Sequence, residues 1–293
     1  MHKLLLHNDQ IVPTSQATVS PGQVGYLNGW GVFSTLRVMD GVLFAFERHW
    51  KRMEHDAERL RVAMPADRGR FHDQLLGLVR ANEAFNATLR VAIVRNRGGF
   101  FQAEGIAIDS DIVAFTADLH DWGSGVALSI QENARHGASP FAGAKITSWA
   151  QNVTWLETAR EQGFDEVILL DEHGRVSECT SANIFAEVRP GEVYTPPLSS
   201  GCLPGITRAI LLEELRADQY EIREKHLSLE DLYDAESVFI TSTTREVLPV
   251  VAIAGRSLHS TGVTARNLHG AFRAYAKAYV ESAAAKQAVS TIG

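Results

Sequence analysis

Gly143-Ala144-Lys145-Ile146-Thr147 sets one lysine among small and apolar residues near the middle of the chain. The sequence has six lysines, Lys3, Lys51, Lys145, Lys225, Lys277 and Lys286. Five stand near charges or in an Ala-rich tail, where a solvated ammonium is the natural state. Lys145 has no acidic residue within ten positions on either side. Desolvation and the want of a counter-charge favour the neutral amine, which is the form that attacks a carbonyl carbon to make a Schiff base. Taken alone, the same residue also suits a loop lysine snorkelling to solvent.

Other residues offer chemistry of a matching kind. Arg48 and Arg52 lie one helical turn apart in Arg48-His49-Trp50-Lys51-Arg52-Met53. Arg95-Asn96-Arg97-Gly98-Gly99 carries two arginines into a glycine loop, a setting that can hold a carboxylate. Glu178 stands where the short stretch RVSE gives way to Ser and Thr. Leu203-Pro204-Gly205-Ile206-Thr207-Arg208 opens a helix with glycine and a hydroxyl, and a helix start presents free N–H groups and a favourable dipole to an anion. In Thr241-Ser242-Thr243-Thr244-Arg245-Glu246 the spacing of Thr243 and Glu246 fits a capping box, which predicts a second helix start and a second anion site. Each of these has an ordinary structural reading. Together they supply an amine for an aldehyde, a carboxylate for a pyridine nitrogen, and an arginine with two helix starts for a phosphate. Those are the needs of pyridoxal 5′-phosphate (PLP).

The elements that would position these groups can be read from periodicity and turn residues. Residues 1–12 predict a short strand pair turning at Asn8-Asp9, and 21–25 a loop. Val32 to Met39 predicts a strand, Asp40-Gly41 a hairpin turn and VLFAF its return. Trp50, Met53, Ala57 and Leu60 recur at helical spacing within a helix from Glu47 to Val62. A second helix is expected over Arg70 to Asn82, and strands over Thr88 to Val94 and Ile112 to Ala117. A strand starts at Val126, and a helix spans Asn152 to Gln162 with Val153, Leu156 and Ala159 inward. A meander of short strands follows to Pro197, then a helix from Ile206 through Leu215, strands ending at Ile240 and at Ile253, and a closing helix over 264–285. Asp118 to Gly125 looks like a linker. The organisation expected is an N-terminal α/β domain over 1–117, a linker over 118–125 and a larger domain over 126–293.

Composition narrows the classes. Of the 293 residues 45% are hydrophobic and 22% charged, enough apolar material for two ordinary globular domains. The formal charge is -7 and no basic run interleaves with aromatics, so no nucleic-acid partner is expected. Two cysteines, Cys179 and Cys202, are too few for a disulfide framework and lack zinc spacing. No apolar run reaches the roughly 18 residues of a membrane span, and the N-terminal Leu4-Leu5-Leu6 is too short for a secretory leader. A cytoplasmic protein without a metal site is expected.

The wording and order of AGAKITS, GFDEVILLDEHGRVSECTSANIF, YTPP, LPGITR and FITSTTREVLPV resemble the class IV aminotransferases, the fold-type-IV PLP enzymes. The resemblance extends over essentially the whole chain. It implies an α/β (α+β) two-domain architecture with the cofactor in the interdomain cleft, and a homodimer. By the same resemblance Lys145 is the Schiff-base lysine and the proton carrier, and Glu178 pairs with the pyridine nitrogen. Arg52, preceded by His49, binds the phosphate along with Ile206, Thr207, Ser242 and Thr243. Asn183 is given a structural role only. Phe33, Arg90, Arg95 and Thr244 fall at substrate-facing positions. Phe33 lacks the hydroxyl that D-amino-acid aminotransferases tend to carry there. FSTLRV and Arg95 are similar to aminodeoxychorismate lyases, while Arg90, YTPP and LPGITR are similar to branched-chain enzymes. Ala150 stands where those enzymes typically have tyrosine. The reading that results is amino transfer from an amino acid to a 2-oxo acid, with a pyruvate-eliminating lyase, a D-amino-acid transaminase or an (R)-amine transaminase as alternatives.

Overall fold

The computed structural model describes residues 1–100, 102–215, 217–260 and 262–290. It divides into two compact units, residues 1–120 with 144–149 and 278–293, and residues 121–143 with 150–277. The chain passes between the units after His120, around 144–149 and again near its end. The Lys145 segment is therefore built into the first unit.

In the first unit the strands are β1 (Leu4–His7), β2 (Gln10–Pro13), β3 (Gly31–Met39), β4 (Val42–Leu43), β5 (Ala87–Arg95) and β6 (Ser110–Ala117), with helices α1 (Val24–Asn28), α2 (Phe46–Leu60) and α3 (Arg68–Ala81). The sheet order is β2-β1-β6-β5-β3-β4. Asp40 and Gly41 both take positive φ, 48° and 81°, as a two-residue turn matching the twist of its strands requires. The return strand β4 is shorter than VLFAF because Ala45, at φ 54°, turns the chain into α2. Phe46, Trp50, Met53 and Ala57 of α2 and Phe71, Leu75, Leu78 and Val79 of α3 share one core with the inward residues of the sheet. Each such large side chain contributes about 1.5–3 kcal/mol on burial. Asp67 caps α3 by accepting from Arg70 N at 2.9 Å, so the helix begins two residues before its expected start. α1 forms where the sequence suggests a loop.

The second unit holds β7 (Val126–Arg135), α4 (Ala150–Glu161), β8 (Glu166–Asp171), β9 (Val176–Cys179), β10 (Asn183–Arg189), β11 (Glu192–Thr195), α5 (Ile206–Glu213), β12 (Glu221–Glu224), α6 (Leu229–Tyr233), β13 (Ser237–Ser242), β14 (Glu246–Ile253), β15 (Arg256–Ser257) and most of α7 (Val263–Ser290). Its nine-stranded sheet runs β12-β11-β10-β13-β14-β7-β8-β9, with β15 on β14. β8 is buried along its whole length, as a strand covered on both faces must be.

Two expectations fail here for physical reasons. No helix starts at Thr243, because Ser242 pairs with Glu246 across the β13–β14 hairpin. The hydroxyl of Ser242, not Thr243, accepts from Arg245 N at 3.1 Å, and the Glu246 carboxylate turns to His269 at 2.7 Å and Arg273 at 3.1 Å. In α4, Val153 is exposed while Asn152 and Ala159 are buried. Asn152 Nδ2 donates to Thr180 O at 2.7 Å, and that polar contact sets the rotation of the helix. Among the described residues no helix is long and apolar enough to cross a membrane, and no group of three or more His, Cys, Asp and Glu is placed to hold a metal ion.

Candidate active site

Lys145 lies against the start of β3. Its carbonyl accepts from Phe33 N at 3.1 Å, and Thr147 N donates to Gly31 O at 2.9 Å. Its own amide donates to Asp56 Oδ2 at 3.0 Å. Folding thus brings to Lys145 the carboxylate that its sequence neighbourhood lacks, but the contact is with the backbone. Asp56 is 1% exposed. Burial raises its pKa, against the lowering effects of the Lys145 amide, Arg52 and Arg59. Helix α2 carries both Arg52 and Asp56, one turn apart, which places them on the same helix face.

The side chain of Lys145 runs over an aromatic pair. Its Nζ is 4.6 Å from the centre of the Phe33 ring and 5.8 Å from that of Trp149, and the two rings meet edge to face. The guanidinium of Arg90 lies over the same rings, 4.0 Å from Phe33 and 6.0 Å from Trp149, and burial lowers its pKa. Thr35, two positions from Phe33 on the same side of β3, pairs with Arg90 of β5, which accounts for the diagonal contact. Arg95 is an odd number of residues further along β5 and points to the opposite face. Its guanidinium stacks on Trp30 at 4.2 Å and donates to the carbonyls of Arg97 and Arg61. Of the two arginines proposed from sequence as substrate-facing, the fold brings Arg90 to Lys145 and turns Arg95 away.

Arg52 is 9% exposed and donates through Nη2 to Ser34 Oγ at 3.0 Å. Burial lowers its pKa to about 10, with Asp56 acting in the opposite direction. It remains a guanidinium cation at neutral pH.

In the second unit Glu178 ends β9 and is 6% exposed. Its Oε1 accepts from Arg135 Nε at 2.8 Å and its Oε2 from Leu203 N at 2.9 Å. Arg135 reaches Asn152 Oδ1 through two weaker contacts at 3.4 and 3.5 Å. The helix start at Ile206 has glycine at its N-cap and no side-chain cap, so its first N–H groups stay available. A Cβ at Gly205 would lie 2.0 Å from Asn183 Oδ1, and Asn183 Nδ2 donates to Leu203 O at 2.8 Å. The role of Asn183 is to shape this helix start. Thr243 and Thr244 follow Ser242, the last residue of β13, in the β13–β14 turn, and the Thr241 hydroxyl beside them is buried without a hydrogen-bond partner. Arg245, the last residue of that turn, is locked by Glu166 at 3.1 Å, by Ser181 and by stacking on Trp122 at 3.9 Å.

Sequence reasoning did not find Asp56, Ser34, Arg135, Asn152 or Trp149. Asp56 had a visible signal, its i,i+4 spacing from Arg52. Trp149 had one as well, a large aromatic four residues after the lysine. Arg135 and Asn152 carried none, because nothing local marks a residue that reaches across a sheet.

The family model for amino-transferase class IV matches residues 31–253. The chain belongs to the class IV aminotransferases. The enzyme is 30% identical to a protein named putative branched-chain-amino-acid aminotransferase from Methanocaldococcus jannaschii, over 87% of this chain and 90% of that one. It is 27% identical to the D-alanine aminotransferase of Bacillus licheniformis, again over 87% and 90% of the two chains. Its fold matches a hypothetical aminotransferase from Mycobacterium tuberculosis solved in a PLP-bound form, with a TM-score of 0.82 and 24% identity over 92% of this chain and 97% of that one. The family is PLP-dependent, and the enzyme is accordingly a PLP-dependent transaminase. Each unit, taken by itself, holds groups of the kinds that this cofactor needs. The first unit offers an amine over aromatic rings and a buried guanidinium. The second offers a tethered carboxylate, an uncapped helix start and an orphaned buried hydroxyl beside a hydroxyl-rich turn.

Proposed function

We propose that the enzyme transfers the amino group of an amino acid to a 2-oxo acid, with a branched-chain-like preference. The observation that carries this reading is that Arg90 and Lys145 both lie over the rings of Phe33 and Trp149. A desolvated guanidinium that shares an aromatic pair with the amine suits the carboxylate of the substrate, and the rings give its side chain an apolar surface. The alternative lyase and D-amino-acid readings lean on Arg95, whose guanidinium is engaged with Trp30 and two carbonyls.

PLP, when bound, supplies an electrophilic carbon and an electron sink. In this proposal Lys145 holds and then moves the proton at the substrate α-carbon as a general base and acid. Glu178 takes the ring nitrogen, fixed in place by Arg135 and the Leu203 amide. Arg52, Ile206, Thr207, Ser242 and Thr243 serve the phosphate, and Phe33, Arg90 and Thr244 the substrate. The working form is a cytoplasmic homodimer.

A donor and acceptor screen tests the reading. Leucine or a related amino acid with 2-oxoglutarate should give the new amino acid, and Lys145→Ala should abolish both turnover and the visible absorption of the loaded protein. Pyruvate release from aminodeoxychorismate without any acceptor, and no transfer from any donor, would replace it with the lyase.

A further inference from the structure

The glycine-rich stretch Gly25-Tyr26-Leu27-Asn28-Gly29-Trp30-Gly31 has no part in the roles above. It covers most of α1 and the first residue of β3. Residues 144–149 belong to the first unit, while the residues on either side of them belong to the second. This short strap pairs with β3 through one bridge, Val32 with Ile146. On the C-terminal side of Lys145 the pairing supplies one backbone bond, from Thr147 N to Gly31 O; Trp149 N then turns back onto Thr147 O at 2.8 Å. Hydroxyls add to that hold. Thr147 Oγ1 donates to Gly29 O at 2.7 Å, with a longer contact to Gly31 O at 3.3 Å. Ser148 Oγ donates to Gly29 O at 2.8 Å and reaches Asn28 O at 3.3 Å. Asn28 O and Gly29 O stand at the C-terminal end of α1, where a helix leaves its carbonyls without intrahelical partners. The glycines make the approach possible. A Cβ at Gly29 would lie 2.7 Å from Ser148 Oγ, and one at Gly31 would lie 3.1 Å from Thr147 Oγ1 and 2.6 Å from Ile93 O.

We propose that Thr147 is a positioning residue for the reaction: its hydroxyl, anchored on the carbonyl of Gly29, sets the direction in which the Lys145 side chain leaves the strap. The inference rests on the reading of Lys145 as the reacting amine. Lys145 and Thr147 are two positions apart in an extended segment, so their side chains leave from the same side. A twist of the strap that moves one moves the other. The anchor is itself tied to the sheet, because Gln23 Nε2, at the N-cap of α1, donates to the buried Asn96 Oδ1 beyond β5 at 3.1 Å. Loss of the Thr147 hydroxyl leaves Gly29 O with its bond from Ser148, so the fold survives the change. What is lost is the aim of the amine, and small misplacements of a reacting group cost far more in rate than in substrate binding.

The test compares Thr147→Val, which keeps the shape and removes the donor, with Thr147→Ser, which keeps the donor. Amide hydrogen exchange of the protein without PLP should be about tenfold faster at Thr147 and Phe33 in Thr147→Val, and unchanged across β5 and β6. In the PLP-loaded enzyme kcat should fall about tenfold to a hundredfold, while KM for the amino acid donor moves about twofold or less. Thr147→Ser should restore exchange and kcat together. Ser148→Ala should do less in both measurements, since Ser148 is exposed and lies past the last paired residue. Wild-type behaviour of Thr147→Val in either measurement, no recovery in Thr147→Ser, or a larger effect in Ser148→Ala overturns the inference and leaves Lys145 as the reacting amine. Full turnover in Lys145→Ala overturns both.

Discussion

The carboxylate of Asp56 accepts a hydrogen bond from the backbone amide of Lys145 at 3.0 Å, across 89 residues of sequence. Helix α2 thereby fixes the backbone position of Lys145, the lysine proposed to react, and also carries Arg52. Removing the acceptor should show what the contact is worth. Asp56→Ala leaves a buried N–H unsatisfied and should cost about 1–3 kcal/mol of stability, read by urea unfolding. Asp56→Asn keeps an acceptor oxygen and should cost much less. Equal losses in the two variants would mean that charge, not the hydrogen bond, is what matters.

The same residue sets a pH dependence. Burial raises the folded pKa of Asp56 above 3.8. In the window from 3.8 up to that raised value the native state binds more protons than the unfolded chain, so stability falls as pH rises through it. Asp56→Asn should remove this component. Across that window the unfolding free energy of the variant should fall less, or rise more, with increasing pH than that of the wild type, and parallel curves would refute the assignment.

Arg90 and Arg95 can be separated kinetically. Arg90→Met should raise KM for amino acid donors by about tenfold to a hundredfold, the loss of a hydrogen bond to a charged group worth about 1.5–3 kcal/mol, with PLP content unchanged. Arg95→Met should move KM far less, because its guanidinium faces Trp30. A larger effect at Arg95 would reverse the substrate assignment.

The turn at Ser242–Thr244 depends on a buried ion pair. Glu166 and Arg245 have side chains 0% and 3% exposed and lie 3.1 Å apart. Arg245→Met strands a buried carboxylate and should destabilise by about 3–5 kcal/mol, seen as a lower Tm in calorimetry. Adding Glu166→Gln should return much of the loss, which an independent effect at either site would not do.

Gly205 offers a steric test of the α5 start. Gly205→Ala forces Asn183 to move, since its Oδ1 occupies the space of the new Cβ. PLP affinity should fall while the fold survives, and Gly205→Ala with Asn183→Ala should recover part of the binding. No change in PLP affinity in the single variant would detach this helix start from the phosphate.

How far the sequence reveals the site depends on the distance over which each signal acts. Lys145, Glu178 and LPGITR each have an ordinary structural reading alone, and only the order and spacing of their stretches carry the family resemblance, whereas the Asp40-Gly41 turn declares its own geometry. The rotation of α4 was not legible, since it answers to Thr180 and Arg135 in other elements rather than to the apolar spacing of Val153 and Leu156. A pair of S/T-x-x-D/E patterns makes the point most clearly. Thr243 and Glu246 fit a capping box yet form a hairpin, because strand pairing claims the segment. Ser228 and Asp231, which sequence reasoning passed over, form a real one at the start of α6. The local pattern is the same in both, and only the tertiary partners differ.

The backbone of Lys145 is held at both its amide and its carbonyl, by Asp56 and by Phe33. Its amine therefore works like an arm on a fixed post. In the role proposed for it, the displacements of the amine come from the four torsions of its own side chain. Rotamer changes of this kind take picoseconds to nanoseconds where the chain has room, against turnover on the order of milliseconds to a second for ordinary enzymes. In the role proposed for Lys145, the swing of the arm is faster than turnover by orders of magnitude.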